Sequence, residues 1–233
     1  MLSGFALRLF FKSDMLVSSI KAGAEEGLFK AELSGASSFS FRTCYLSPVF
    51  AAASLPCADI CAVIEEITGR ELSEAEEEAL LFAADCFAAE KAALQLIARA
   101  EQCAFGIGRK LEKRGHKTAC VKAVKERLCG LGLLDDLRYS RLWLESRLGR
   151  QGFSPVRLLS GLRAKGISRD DSEAAIRQAI DDETEWQLLQ GFLAKKQRKT
   201  EFDIEDSGDR RSLKYILKGE GFSGAVIERF LEE

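Results

Sequence analysis

Histidine is almost absent from this sequence, since His116 is its only one in 233 residues. A single imidazole excludes multi-histidine metal centres and leaves at most one histidine for acid–base catalysis. Proline is also scarce, at three residues, and the composition of 46% hydrophobic and 30% charged residues is typical of a helix-rich globular protein. The longest apolar stretch, 49–64, is interrupted by Pro56 and Asp59 and is too short to span a bilayer, so we expect no membrane segment.

Motifs for nucleotide binding and hydrolysis are missing as well. There is no P-loop and no G-x-S-x-G elbow, and Gly106-Ile107-Gly108 lacks the third glycine and the preceding strand of a dinucleotide fingerprint. The seven scattered cysteines are interpreted as buried thiols, and Cys57 and Cys61 have no second ligand pair nearby for zinc. With no signal peptide evident, we expect a cytoplasmic binding protein, not an enzyme, without metal or cofactor.

The N-terminal part of the chain shows the period-two alternation of β-strands. Alternating runs lie at 5–11, 29–33 and 39–45, and the residues 35–38 suit a hairpin connection between the last two. We therefore predict a small antiparallel β element over 1–55. Connecting helices are predicted over 56–85: a short one over 60–67, ended by Gly69, and the start of a long one that reaches about Arg99 and is opened by a Ser73–Glu76 capping box.

The rest of the chain repeats one pattern three times. An aliphatic residue is followed after four positions by a leucine and after four more by a glycine, and the three glycines are Gly115, Gly166 and Gly221. This spacing predicts a helix with a buried aliphatic pair that ends at a glycine in the left-handed conformation. Because another helix precedes and another follows each of these, we predict three-helix repeats at 86–137, 138–182 and 183–233. Such short helices need neighbouring repeats to bury their apolar faces, which favours an elongated, curved molecule over a compact bundle.

The net charge of −2 conceals an uneven distribution. Residues 1–85 carry −7 and 181–233 carry −4, whereas 86–137 carry +4 and 138–180 carry +5. Eight of the nine basic residues in 138–180 are arginines, whose planar guanidinium binds carboxylates and phosphates through two hydrogen bonds. The basic middle of the chain is therefore a candidate surface for an anionic partner.

Helical-wheel positions assign these arginines to different environments. Arg138 and Arg141 share a polar face, and Arg157 and Arg163 lie opposite the leucines of their helix, so all four are expected to be exposed. Arg147 falls on an apolar side, and we expect it to be half-buried and paired with a carboxylate such as Asp135 or Asp136. A solvated helix face is the alternative reading of the exposed arginines. The candidate partner- or DNA-binding residues are Arg138, Arg141, Arg150, Arg157, Arg163 and Lys165.

One segment resembles a known family. The run Gly132-Leu133-Leu134-Asp135-Asp136-Leu137-Arg138-Tyr139-Ser140, followed by Arg147, Arg157-Leu158, Leu162 and Lys165-Gly166-Ile167, is similar to the signature of the bacterial RecX family. The resemblance covers roughly 90–233 and departs from the family pattern at Ser140, where alanine is usual, and at Trp143-Leu144. Its structural signature residues in this chain are Asp135, Asp136, Tyr139, Arg147, Gly115, Gly166 and Gly221.

This resemblance implies both a fold and a function. It implies a mainly α protein of three tandem three-helix repeats, elongated and curved, that acts as a monomer on RecA in recombinational repair and the SOS response. Members of the family lodge in the groove of the RecA–single-stranded DNA filament, limit its growth and inhibit its ATPase and strand exchange, and some contact DNA. The alternative, drawn from the residues, is a helical-repeat protein that binds DNA directly through the arginine-rich face.

Overall fold

The computed structural model describes residues 16–34, 37–46, 68–69, 71–148, 152–197 and 206–232. Within them lie three strands, β1 (Val17–Ala22), β2 (Leu28–Leu33) and β3 (Ser38–Arg42), and a 3₁₀ turn, Thr43–Tyr45. The helices there are α1 (Glu74–Ile97), α2 (Ala104–Lys113), α3 (Thr118–Gly130), α4 (Asp136–Leu148), α5 (Pro155–Arg163), α6 (Arg169–Ala179), α7 (Asp182–Gln197), α8 (Ser207–Gly219) and α9 (Gly224–Glu232). The predicted strand at 5–11 and the predicted helix at 60–67 lie outside the described residues.

The chain divides into two compact units. The N-terminal unit comprises Met1–Ala100 and Ile107–Leu133, and the C-terminal unit comprises Glu101–Gly106 and Leu134–Glu233. The first turn of α2 therefore belongs to the C-terminal unit and the rest of that helix to the N-terminal unit. Each unit is described separately below.

The N-terminal unit contains an antiparallel sheet with the strand order β1-β2-β3. Phe29 and Phe41 are paired across β2 and β3, and their ring centroids are 6.0 Å apart. The hairpin of β2 and β3 was predicted, but β3 ends at Arg42, because the chain turns into the 3₁₀ turn before the third alternating run is complete. Strand β1 was not predicted, since its sequence VSSIKA contains few apolar residues.

Helix α1 packs against β3 and α3 in the N-terminal unit. The predicted capping box is present: Ser73 accepts a hydrogen bond from the Glu76 amide, and the Glu76 carboxylate accepts one from the Ser73 amide. The buried face of α1 is rich in small residues, which let the strands and α3 approach closely. Its apolar members are Ala79, Leu80, Ala83, Cys86, Ala89 and Ala93.

A buried carboxylate joins the sheet to the helices of this unit. Glu90 of α1 is only 3% exposed, and it accepts a 2.7 Å hydrogen bond from the Tyr45 hydroxyl. Arg42 Nε lies 3.1 Å and Arg127 Nε 3.4 Å from its two oxygens. Burial, followed by the bond to Glu90, raises the pKa of Tyr45. Arg42 also contacts Glu25 at 2.5 Å, so Arg42 is paired with two carboxylates and shares one of them, Glu90, with Arg127.

The described helices form three successive triplets, which confirms the predicted three-helix repeat. The middle helices α2, α5 and α8 each end at the predicted glycine, with φ of +87° at Gly115, +77° at Gly166 and +85° at Gly221. In each helix, the residue after the glycine donates its amide to the carbonyl of the leucine that lies four positions before the glycine. This is the 6→1 hydrogen bond of a Schellman motif. These bonds are His116 to Leu111 (3.1 Å), Ile167 to Leu162 (3.3 Å) and Phe222 to Leu217 (3.2 Å).

Successive middle helices meet end to end in the C-terminal unit. Just before α2, Cys103 Sγ donates to the Lys165 carbonyl at 3.4 Å, and Phe105 packs so closely on Gly166 that a Cβ there would overlap its ring. The same contact recurs one repeat later. The Val156 amide donates to the Glu220 carbonyl at 3.1 Å, and a Cβ on Gly221 would lie 2.8 Å from Val156 Cγ2. We call this the head-to-tail contact, because the first turn of one middle helix covers the last turn of the next.

A continuous apolar core runs through the second and third triplets. Its centre includes Leu144, Leu158, Leu162, Leu189, Leu213 and Leu217, all at most 2% exposed. Aromatic rings fill the third triplet, where Phe192 and Phe222 are 5.7 Å apart. The second and third repeats therefore bury their helices against each other, as expected for short helices.

The cysteine prediction is partly correct. Cys86, Cys103 and Cys120 are buried free thiols, but Cys44 and Cys129 are exposed. Cys44 lies in the 3₁₀ turn and Cys129 in the last turn of α3, where one side of the backbone faces solvent.

Candidate arginine-rich binding surface

The two signature aspartates both cap helices. Asp135 Oδ1 accepts the amide of Arg138 at 2.9 Å and so caps its own helix, α4. Asp136 Oδ1 instead accepts the amide of Ala104 at 2.8 Å, which is the first residue of α2. The doublet therefore fixes the start of α4 against the first turn of α2, within the C-terminal unit.

Arg138 is committed to an ion pair. Its Nε and Nη2 lie 2.9 Å and 2.8 Å from Glu101 Oε1, and this bond is the largest cause of the raised pKa of Arg138. The side chain is 43% exposed, so the predicted exposure holds in part. Its charge is nevertheless neutralised by Glu101, which lies 37 residues away in sequence and was not predicted as its partner.

Arg141 has a neutral partner. Its Nε and Nη2 both donate to Gln178 Oε1 of α6, at 3.1 Å and 2.7 Å. Gln178 orients the guanidinium without cancelling its charge, and within the described residues Arg141 makes no ion pair. Arg141 is exposed as predicted, so its positive charge is held in a defined place at the surface.

The remaining candidates lie on or beside α5. Arg157 is 53% exposed; its Nε lies 3.6 Å from Glu220 and its guanidinium 5.7 Å from the Phe192 ring centroid. Arg163 and Lys165 are exposed as well. Arg163 also interacts weakly with Glu173, whose pKa is lowered mainly by Arg169 and to a smaller extent by Arg177 and Arg163. Arg150 lies outside the described residues.

The prediction of a carboxylate partner for Arg147 is wrong within the described residues. Arg147 is half-buried as expected, but its guanidinium lies over the Trp143 ring at 4.0 Å from the centroid. Its Nη1 donates to the Trp143 carbonyl at 3.3 Å and to Ser146 Oγ at 2.5 Å. An aromatic face and two neutral oxygens stabilise the guanidinium, so no acid is needed.

Two further signature positions serve packing. Tyr139 is half-buried against the core, and burial is the largest cause of its raised pKa. Ser140 is fully buried, and its hydroxyl donates to the Asp136 carbonyl at 2.6 Å. Because that hydroxyl has its own acceptor, serine fits at this position without an unsatisfied polar group.

Four of the predicted cations are exposed on the C-terminal unit. Arg141, Arg157, Arg163 and Lys165 present positive charge on the C-terminal unit, and Gln178, Glu220 and Phe192 orient two of these cations. Within the ranges that the structure describes, no group of three or more potential metal-ligating side chains is present. None of the described helices is long and apolar enough to cross a membrane.

The fold and this surface define a mainly α, tandem three-helix repeat protein. Residues 135–176, which include the signature segment and α4 to α6, match the family model described as the second three-helix domain of RecX.

Curated relatives identify the family, and a solved structure shows the same fold. The chain is 34% identical over 163 residues to the regulatory protein RecX of Treponema pallidum (strain Nichols), covering 70% of this chain and 95% of that protein. It is 35% identical over 125 residues to that of Halorhodospira halophila, covering 53% and 72%. A crystal structure of regulatory protein RecX superimposes with a TM-score of 0.62 at 20% identity, over 94% of this chain and all of that one. The chain belongs to the RecX family of regulatory proteins.

Proposed function

We propose that this protein binds RecA and the RecA–single-stranded DNA filament and inhibits its ATPase, its growth and strand exchange, in recombinational repair and the SOS response. The observation that carries the proposal is the family signature placed on a repeat scaffold. Asp135 and Asp136 use their carboxylates to hold two helix starts together, so the signature supports a shaped binding surface. The proposal therefore assigns the protein a binding role and no catalytic step.

The cations of the C-terminal unit support an acidic or polyanionic partner. Among the residues that the structure describes, Arg141 bonds only the neutral Gln178 and forms no ion pair, and Arg157 is held by Phe192 and Glu220. Preorganised side chains lose less conformational freedom on binding than freely rotating ones. The proposal includes a monomeric, cytoplasmic protein that needs no cofactor.

The direct test is the single-stranded DNA-stimulated ATPase of RecA. We expect the full-length chain to lower the ATPase rate in a concentration-dependent manner, and an unchanged rate at saturating protein would refute the proposal. The double variant Arg141→Glu/Arg163→Glu is expected to inhibit less. Lys113→Glu/Lys122→Glu makes the same charge change on exposed residues of α2 and α3 and serves as the matched control.

Direct DNA binding is the second candidate, and the geometry of Arg141 favours it. A cation held by a neutral amide is free to pair with a phosphate. This candidate predicts that affinity for bare DNA falls steeply with salt and is lost in Arg141→Glu/Arg157→Glu. If that variant no longer binds DNA but still inhibits RecA, DNA contact is not needed for inhibition.

A further inference from the structure

Tyr215, in the middle of α8, is the most exposed of the large hydrophobic side chains that the structure describes. It is 81% exposed, whereas Leu213 and Leu217 on either side of it are buried. A tyrosine so far from the apolar core contributes little to folding, because it removes little apolar area from water. Its ring is therefore accessible to a partner from solvent.

The neighbours of Tyr215 on its helix face are cationic on one side and small on the other. Arg211 and Lys218, one turn before and one turn after it, are both exposed and lie about 40–60° from it around the helix axis. Gly208, Ser212 and Gly219 lie on its other side, and an added Cβ on Gly219 would meet open space. A flat group can therefore approach the phenol ring from that side.

The charge of this helix differs from that of the segment around it. Residues 181–233 carry −4, but α8 contains four basic residues and one acidic residue. Lys214 is paired with Glu228, and the pKa of Glu228 is lowered mainly by Lys214 and more weakly by Lys218 and Arg210. The acid Asp209 lies about 120° away from Tyr215 around the helix. The exposed face around Tyr215 is thus locally positive.

We infer that Tyr215, Arg211 and Lys218 form a contact site for single-stranded nucleic acid, in which a base stacks on Tyr215 and the two cations bind phosphates on either side. The cations are about 10 Å apart along the helix axis, at 1.5 Å per residue. Every base has a π-face that an aromatic ring can stack against, but in a duplex these faces are occupied by neighbouring bases.

A second copy of the chain fits this face poorly. In the first two middle helices, the residue ten positions before the terminal glycine is apolar, Phe105 or Val156, and makes the head-to-tail contact. In α8 that position is Arg211, so the face does not offer the apolar contact that another repeat would need. The helix-face neighbours of Tyr215 are Arg, Lys, Ser and Gly, so the charge around the ring matches phosphates better than an apolar protein surface.

The test is fluorescence anisotropy of the full-length chain with labelled dT20, rU20 and a 20-base-pair duplex. We expect Tyr215→Ala to weaken binding of the single strands about tenfold or more, with little effect on the duplex, and Tyr215→Phe to bind like the wild type. Comparison of dT20 with rU20 identifies DNA or RNA as the preferred strand. Circular dichroism should show an unchanged fold, since the substituted side chain is exposed.

The charge contribution is tested separately. Lys218→Glu should weaken dT20 binding and reduce its salt dependence, whereas Lys122→Glu, the same change on α3, should not. Unaltered single-strand affinity in Tyr215→Ala would overturn the inference. It would also be overturned if Tyr215→Ala lost RecA inhibition while keeping oligonucleotide affinity, since Tyr215 would then be a protein contact. Because bare oligonucleotides are used, the result is independent of the RecA proposal.

Discussion

Arginine has opposite roles in the two units of this chain. In the N-terminal unit, Arg42 and Arg127 turn inward onto the buried carboxylate of Glu90. In the C-terminal unit, Arg147 and Arg229 lie over tryptophan rings at 4.0 and 4.2 Å, and Arg141 bonds a neutral amide at the surface. The first arrangement joins a sheet to helices, and the second leaves positive charge accessible. The same residue type is thus paired with a buried acid in one unit and with aromatic rings and a neutral amide in the other.

The largest expected effect is a lower free energy of unfolding when the buried carboxylate of the N-terminal unit is removed. Glu90→Gln leaves Arg42 and Arg127 without their shared carboxylate, and we expect a loss of about 3–5 kcal/mol in the free energy of unfolding. Hydrogen exchange should show reduced protection in β3 and α1. Glu32→Gln, which removes a surface carboxylate paired with Lys21, is the control and should leave protection unchanged. Equal protection in the two variants would contradict the structural role of Glu90.

The next effect tests the head-to-tail contact, which occurs in the C-terminal unit. Gly166→Ala should be destabilising both through its φ of +77° and through overlap with Phe105. Gly115→Ala is the matched control: its φ is +87° but a Cβ there meets no atom within 4 Å, so only the backbone cost of about 1–2 kcal/mol applies.

We expect Gly166→Ala to cost at least about 1 kcal/mol more than the control, because the overlap adds to the backbone strain. Chemical denaturation measures both variants. A double-mutant cycle with Phe105→Ala should give a clear coupling energy, and its absence would show that Phe105 and Gly166 are not in contact.

A smaller effect is expected for the arginines of the C-terminal unit. Arg147→Gln removes the contact with Trp143 and should cost about 0.5–1 kcal/mol. Both tryptophans of the chain, Trp143 and Trp186, lie in this unit, so tryptophan fluorescence follows its unfolding. Arg141→Gln is the control and should not shift the midpoint. A loss for Arg147→Gln as large as that for Glu90→Gln would break the contrast between the units.

The smallest effect is a pH dependence in the N-terminal unit. Burial is the main cause that lowers the pKa of His116; Arg114 lowers it further and Asp85 opposes them. The unfolded chain then binds the proton more readily, so stability is full above about pH 6.5 and falls as the pH decreases below it. His116→Ile, which places the residue of the second repeat at this position, should flatten the profile between pH 7.5 and 5.5. Denaturation midpoints measured across that range test this prediction. If the stability of the variant depended on pH as steeply as that of the wild type, a group other than His116 would cause the dependence.

Local patterns were predictable from the sequence, and long-range partners were not. Gly115, Gly166 and Gly221 were identified because a Schellman motif uses residues within six positions of one another. The Glu90 cluster combines residues 37 to 48 positions away from Glu90, which no local period reveals. The carboxylate of Asp136 accepts the amide of Ala104, 32 residues earlier, which the signature motif does not reveal. The contact of Arg147 with Trp143 could have been predicted, because residues four positions apart on one helix are neighbours.

Arg211 stands where the first two middle helices carry the apolar residue of the head-to-tail contact. Gly115, at the end of α2, has open space around it and could receive the apolar residue of another middle helix. An apolar side chain at 211 would give a single chain both halves of the head-to-tail contact, and such a heterologous interface closes into rings or grows into filaments. Because this position is the charged Arg211, the chain carries only the glycine half of that contact, at Gly115.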